Sequence, residues 1–556
     1  SHRNINKCDF PSIAAAFNNS YTIYPFHRIH STKNKPNKDL QNHKLRDNEY
    51  IGVQTEDINQ LFSQKIRQGN KSVIKKGVIL HPVTIASQFE YNLHLCLRAI
   101  DHNVILDKLN STQHGKLQHH IPPIHKLLDK YDRFPDLAFN TLSLLGDCSF
   151  EYNFNTVKNK KHYTSSRYED KEFLTQLALK GLNERYQPKN DKPNPEALKR
   201  LHKELEVIHD MGFSAHFLIT WDIIQYSQSQ GFHHVGRGSG ANSITAYCIG
   251  ITDVDPIELN LFFERFLNPH RSSPPDFDID WSHRTRDHIL DYIFARFGKE
   301  HTCYVGAVNT FQNRSPIREL GKVFGLPKEE IDYLVRNRRR TKQTAQQAST
   351  LSEMLKDEIC QKIEKYCAAM HNKPNQLTMH SCGILITEEP ITQYTALELP
   401  PKGYNTAQID MYISEEIGLE KLDVLSQRGL SSIETCLRTI EKNRGEKVNI
   451  HQVQKFKHDP LLNDKLSKGE TIGCFYIESP AMRGLLRRLK CNNYITLVAA
   501  SSIIRPGVAK SGMMREYIMR HNGTSEIQYP HPTFKEQLGE TYGIMVYQED
   551  VIKIAH

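Results

Sequence analysis

The sequence predicts a multidomain protein of mixed α/β (α+β) class, and three observations carry that prediction. Its 556 residues are enough for about three or four domains, each with its own core. Short stretches repeat with the period of two that marks a β-strand, above all Asp276-Phe277-Asp278-Ile279-Asp280-Trp281. Longer stretches, residues 196–205 and 213–226 among them, carry helical patterning.

Composition narrows the class. A net charge of +9 with 24% charged residues is a modest basic excess that suits a polyanionic partner. Eleven cysteines are scattered without a CxxC pair. That pattern suits reduced thiols in a cytoplasmic protein and argues against a zinc ribbon or a disulfide scaffold. No apolar run approaches the roughly 18–20 residues of a membrane span, and residues 1–30 do not read as a signal peptide. The chain starts on Ser1 and stops at Ile554-Ala555-His556 within a helix-like pattern, so both ends read as cut.

Residues 1–160 are polar and rich in His, Asn and Lys, with a strand-like piece at 78–83 and an amphipathic helix at 93–100. His27 and His30 lack an Asp/Glu/His cluster at a recognisable spacing and read as surface or packing histidines. The run Lys158-Asn159-Lys160-Lys161 reads as an exposed junction. From about 165 to 230 the pattern is helical, first charged and then apolar and aromatic. Next comes Val235-Gly236-Arg237-Gly238-Ser239-Gly240-Ala241, a glycine-rich turn leading into a helix-like segment. Such a turn offers backbone N–H groups to an anion, Arg237 adds a bidentate phosphate donor, and Ser239 adds a hydroxyl. It lacks the GK[ST] ending of a Walker loop. It also matches GxGxxG/A formally, with Asp255 where a ribose-binding acid would sit, a dinucleotide reading that requires a βαβ unit.

The acidic stretch comes next. On a strand, Asp276, Asp278 and Asp280 share one face while Phe277, Ile279 and Trp281 pack behind it, and Pro274-Pro275 sets where the strand begins. Like charges so placed repel unless a cation sits among them, and hard oxygen ligands suit Mg²⁺ or Mn²⁺. An EF-hand loop is excluded, because Trp281 and Asp287 stand where it needs Gly and Glu. A solvated strand face is the bland alternative. Residues 285–380 read as mainly helical and polar, with a basic cluster from Arg336 to Lys342 that suits a phosphate backbone or a solvated face. A strand is expected at 383–386. Another is expected within 417–425, where Lys421 and Asp423 would share one face with Leu422 and Val424 on the other. Helices return after 429.

Taken together, GRGSGANSITAYCIGITDVDP, LFFERFLNP, PDFDIDW, GLEKLDVL, CFYIESPAMRGLLRRL, IIRPG and TYGIMVYQEDV resemble, in order, the α subunit of bacterial DNA polymerase III of the DnaE type (C-family DNA polymerase). The resemblance runs from about residue 165 to the end and implies a fragment truncated at both ends. It implies a mixed-sheet, nucleotidyltransferase-like palm at 161–307 and 379–428, a helical thumb at 308–378 and truncated fingers at 429–556. A partial, inactive PHP-like domain would occupy 1–160. In that family three palm aspartates bind metal, and by position they match Asp276, Asp278 and Asp423, with Asp280 in support. The Arg-Gly-Ser loop that faces the incoming triphosphate matches Arg237, Gly238 and Ser239, and Lys421 is the family's phosphate-facing lysine. The implied activity is template-directed, DNA-directed DNA polymerase action in bacterial replication, with two Mg²⁺ ions (Mn²⁺ being possible) and pyrophosphate release. The implied partners are primer-template DNA, deoxynucleoside triphosphates, and, through regions outside this chain, a sliding clamp and other replisome subunits, with no membrane.

Two departures accompany the resemblance. His27 and His30 do not sit in the family's PHP metal motif, and His81-Pro82-Val83 lacks the acid often found nearby, so PHP hydrolase activity is not implied. The arginine- and lysine-rich fingers helix that follows TYGIMVYQEDVIKIA in the family is not in this chain. Three other readings stand beside the polymerase: a catalytically silent DNA-binding relative, a PHP-type metal hydrolase, and a dinucleotide-binding oxidoreductase.

Overall fold

The computed structural model describes residues 20–26, 45–61, 75–154, 156–186, 194–268, 275–312, 314–340, 358–505, 507 and 511–555. They fall into two units, one from 1–152 with 309–375 and one from 153–308 with 376–556. His27, His30, Pro274, Thr341 and Lys342 lie outside the described residues.

In the first unit, β1 (Thr22–Pro25), β2 (Glu49–Val53) and β3 (Gly77–Ile79) form a parallel three-stranded sheet in the order β1-β2-β3. Tyr24, Phe26, Ile51, Val53, Tyr131 and Leu137 close a core around it. Glu49 is buried within that core, where its carboxylate accepts from the Tyr24 hydroxyl at 2.9 Å and the Arg46 N–H at 2.8 Å, as burial of a charge requires. The helix expected at 93–100 spans Gln88–His102, capped by the Ser87 side chain accepting from the Glu90 N–H. Its Leu93 and Cys96 pack with Ile317, Leu320, Cys367 and Met370 of helices Ser315–Val323 and Glu358–Met370.

The second unit is built on a seven-stranded mixed sheet. Its strands are β4 (His234–Arg237), β5 (Asp278–Ser282), β6 (Thr302–Thr310), β7 (Pro374–Ile386), β8 (Leu397–Glu398), β9 (Thr406–Ala407) and β10 (Leu422–Gln427), in the order β4-β5-β10-β7-β6-β9-β8. Phe277, Ile279 and Trp281 are buried, as the alternation predicts. They share a core with Leu201, Leu205, Phe217, Ile223 and Ile224 of helices Pro195–Asp210 and Ser214–Ser229. Each such side chain contributes on the order of 1.5–3 kcal/mol by leaving water. The Trp281 indole donates to Ser227 Oγ at 2.8 Å, so the largest core side chain also satisfies its one polar atom. Cys303, Val305, Leu385, Ile391, Ala407 and Leu419 form a second cluster in this unit. From Arg428 onward the regular elements among the described residues are helices; Met482, Leu485, Leu486, Ala500, Ile503 and Tyr517 pack together. Glu549 accepts from Arg265 Nη1 at 2.7 Å, which joins this helical part to the segment before β5.

One expectation needs correction, one needs completing, and the dinucleotide reading, which stood last, lacks the βαβ unit it requires. Residues 285–380 include the nine-residue strand β6 and the start of the thirteen-residue β7; the first half of β6 is buried without interruption, so no alternation marks it. The run 158–161 is not an exposed junction. Lys158 and Asn159 are buried, Asn159 bridges to Thr387, and the Lys158 ammonium donates to the carbonyls of Asn153 and Thr156. The glycine-rich turn does not begin a βαβ unit. β4 runs antiparallel to β5, and Asp255 accepts from the Tyr186 hydroxyl at 2.7 Å and from the Ile257 N–H. Among the described residues no helix is long and apolar enough to cross a membrane.

Candidate active site

Two neighbouring strands create the site. β5 and β10 pair in parallel with Asp278 opposite Asp423, and β4 lies antiparallel on the other side of β5 with Arg237 opposite Asp278. Directly opposed residues project from the same face of a sheet, so Arg237, Asp278 and Asp423 form one row. Asp276 precedes β5 rather than lying on it, yet one oxygen from each of Asp276, Asp278 and Asp423 falls within 4.8 Å of the others. Three carboxylates so close repel by about 4 kcal/mol per pair at an effective dielectric of 20.

Two cations offset part of that repulsion. The Lys421 ammonium donates to Asp423 Oδ2 and, at 3.4 Å, to Asp276 Oδ2. Arg237 Nε donates to both oxygens of Asp280 at 3.2 Å, and its Nη1 lies 3.5 Å from Asp278 Oδ2. Asp280 is therefore the holder of Arg237. Burial pushes the Asp276 carboxyl up to about 6 against the pull of Lys421, with Asp423 and Asp278 adding to the rise. Burial likewise raises Asp278, opposed by Arg237. Burial works against the charges of Lys421 and Arg237, but their carboxylate partners outweigh it and both stay firmly protonated.

The acids remain incompletely satisfied. Asp276 Oδ1 and Asp423 Oδ1 are buried without a hydrogen-bond partner, and leaving such an atom unpaired is costly. An all-oxygen set with two open acceptors fits a hard divalent cation.

The loop over the row is shaped by Gly238, whose φ is +74° and whose missing side chain leaves room for Asp278: a Cβ there would stand 2.6 Å from Asp278 Oδ2. Ser239 follows in a 3₁₀ turn, Gly238–Asn242, and is half-buried. This loop is anchored from behind by Glu204, a fully buried carboxylate that accepts from Ser243 Oγ at 2.8 Å and the Thr245 N–H at 3.1 Å and pairs with Arg200. Two residues that sequence reasoning missed also reach Asp423. His380 and Cys382 of β7 place a ring nitrogen and a sulfur within 4.8 Å of each other and of a carboxylate oxygen of Asp423. Their His-x-Cys spacing immediately before the strand expected at 383–386 was the available signal.

Comparison with known proteins agrees with this architecture. Residues 172–426 match the bacterial DNA polymerase III alpha NTPase domain, and residues 429–556 match the bacterial DNA polymerase III alpha subunit finger domain. An error-prone DNA polymerase of Symbiobacterium thermophilum is 32% identical over 486 residues, which cover 86% of this chain and 43% of that protein. The DNA polymerase III subunit alpha of Bacillus subtilis is 30% identical over 519 residues, covering 91% and 45% respectively. That of Aquifex aeolicus is 31% identical over 481 residues, covering 79% and 41%. The chain spans less than half the length of these relatives. With both domain matches in register along one chain, it belongs to the family of bacterial DNA polymerase III α subunits.

Proposed function

We propose that this chain carries the catalytic centre of a template-directed DNA polymerase that extends a primer 3′-hydroxyl with deoxynucleotides and releases pyrophosphate. What supports this reading above all is the convergence of Asp276 from the segment before β5, Asp278 from β5 and Asp423 from β10, with buried oxygens of Asp276 and Asp423 left unpaired. These three side chains would hold two magnesium ions, with manganese as a substitute. The chemistry supplied by such ions is activation of the attacking hydroxyl and neutralisation of the leaving pyrophosphate.

The residues around them do the positioning on which phosphoryl transfer depends. Asp280 grips Arg237 through Nε, which leaves the far end of the guanidinium to turn from Asp278 to the oxygens of an incoming triphosphate. Lys421, which now donates to Asp423 and Asp276, would be placed to do the same when those carboxylates hold a cation. Gly238 and Ser239 let the loop backbone approach those phosphates closely. Residues 161–307 with 379–428 would be the palm, 308–378 the thumb, 429–556 fingers, and 1–160 a PHP-like domain without hydrolase activity. The partners would be primer-template DNA and deoxynucleoside triphosphates in the cytoplasm, with a sliding clamp and replisome subunits engaged by the longer protein.

Single-nucleotide primer extension with Mg²⁺ tests the proposal. The chain is compared, within its full-length parent, with the Asp423→Ala variant. Extension by the first and none by the second is expected. Absence of extension by either, with primer-template still bound, would instead favour a silent DNA-binding relative.

A further inference from the structure

The acid triad is not the only cluster that Asp423 joins. On β7, His380 and Cys382 stand two residues apart, and β10 brings Asp423 alongside with Gly383 as its register partner. Cys382 Sγ lies 3.7 Å from His380 Nδ1. A tetrahedral zinc with bonds of about 2.3 Å to sulfur and 2.0 Å to nitrogen holds those two atoms about 3.5 Å apart. The pair is therefore already spaced as zinc ligands are. His380 Nδ1 accepts from the Gly383 N–H at 2.9 Å, which requires the proton to be on Nε2; that tautomer is the one that binds a metal through Nδ1. A side chain at position 383 would crowd this nitrogen, since a Cβ there would stand 3.0 Å from it.

A second observation comes from Asp423 itself. It is only 7% exposed, and its Oδ1 is buried with no partner. Thiolate, imidazole and carboxylate make a three-ligand set with one position open, and such a set favours a borderline-soft ion over magnesium. The neighbouring triad, all oxygen, has the opposite preference. Asp423 is common to both.

We infer that His380, Cys382 and Asp423 form a zinc-class site whose occupation withdraws Asp423 from the acid triad. Binding replaces the Gly383 hydrogen bond at Nδ1 with a metal–nitrogen bond and releases the Cys382 thiol proton to solvent. The site converts zinc excess into loss of the hard-cation site. That consequence, though not the zinc site itself, rests on the reading of Asp423 as a magnesium ligand.

The test is Co²⁺ titration of the whole chain, following the near-ultraviolet thiolate-to-cobalt charge-transfer band. The titration is repeated with Cys382→Ala, Cys382→Ser and His380→Gln, and with Cys436→Ala as a control at an exposed thiol. Circular dichroism melts verify that each variant is folded. The expected result is a band that Zn²⁺ abolishes, that both Cys382 variants lose, that His380→Gln weakens at least tenfold in affinity, and that Cys436→Ala retains. A band absent from the wild type, or unchanged in the folded Cys382 variants, overturns the inference. Mn²⁺ uptake by Cys382→Ala, read by electron paramagnetic resonance, reports on the triad separately. Uptake there with no cobalt band in the wild type sinks the zinc site and spares the polymerase reading. A Cys382-dependent band without Mn²⁺ uptake does the reverse. Zn²⁺ should expel bound Mn²⁺ from the wild type and not from Cys382→Ala; retention of Mn²⁺ by the zinc-loaded wild type ends the claim of withdrawal.

Discussion

Asp278 and Asp423 are direct partners across the parallel β5–β10 pair, and Ser282 opposite Gln427 marks the other end of the same register. A slip of one residue would turn one of the two carboxylates to the opposite face of the sheet. The pairing is secured beyond the strands by the Ser431 hydroxyl, which meets Ser282 Oγ at 2.7 Å and His283 Nδ1 at 2.5 Å. The candidate centre is thus a property of strand pairing more than of any single loop.

Replacing Asp278 by Asn in the full-length parent should abolish measurable nucleotide incorporation, a fall of at least about 100-fold if the lost charge stabilises the transition state by some 3 kcal/mol. DNA affinity should hardly change, because removing a negative charge does not hinder a phosphate backbone. Primer extension beside fluorescence anisotropy checks both; equal incorporation by the variant would end the metal-site proposal.

Lys421 occupies oxygens of Asp423 and Asp276 that the proposed metal would need. Lys421→Met should therefore bind Mn²⁺ more tightly in the absence of nucleotide, yet extend primers more slowly. Without metal the variant leaves buried carboxylates unpaired and should lose about 3 kcal/mol of stability, regained on adding Mn²⁺. Metal titration and denaturant melts with and without Mn²⁺ read these opposite signs.

At Gly238, an alanine meets both a φ of +74° and the Asp278 carboxylate. The conformational strain alone is about 1–2 kcal/mol, and the Cβ must also displace Asp278. Gly238→Ala should melt earlier and bind Mn²⁺ more weakly, whereas Gly445→Ala, at a positive-φ site with nothing within 4 Å, should lower stability alone.

Two buried histidines make the fold less stable in acid. Burial lowers His209 and His234 from the ordinary 6.5 to about 4 each, with Lys171 and His451 respectively adding to the effect. Both are neutral in the folded chain and take up protons more readily when it unfolds. Their contribution, at most about 3 kcal/mol each, is complete above pH 6.5 and is lost as pH falls towards 4. His209 bridges Ser214 Oγ at 2.7 Å and Thr175 Oγ1 at 3.2 Å. His209→Gln should flatten stability between pH 6.5 and pH 4.5 relative to the wild type, measured by urea midpoints.

What the sequence determined by itself was local: which residues of a segment share a face. The alternation of Asp278 and Asp280 with Phe277, Ile279 and Trp281, and the apolar run that becomes helix Ser214–Ser229, follow from backbone periods acting over a few residues. Motif order then identified Asp276, Asp278 and Asp423 as companions. Tertiary structure alone decided that Lys421 reaches Asp276 across 145 positions, that Asp280 holds Arg237, and that His380 and Cys382 arrive at Asp423 from a third strand. It also buried Lys158 and made a strand of Thr302–Thr310. Periodicity states which way a side chain points from its own backbone. What it points at depends on strand order and register, and those are set by the packing of the whole sheet.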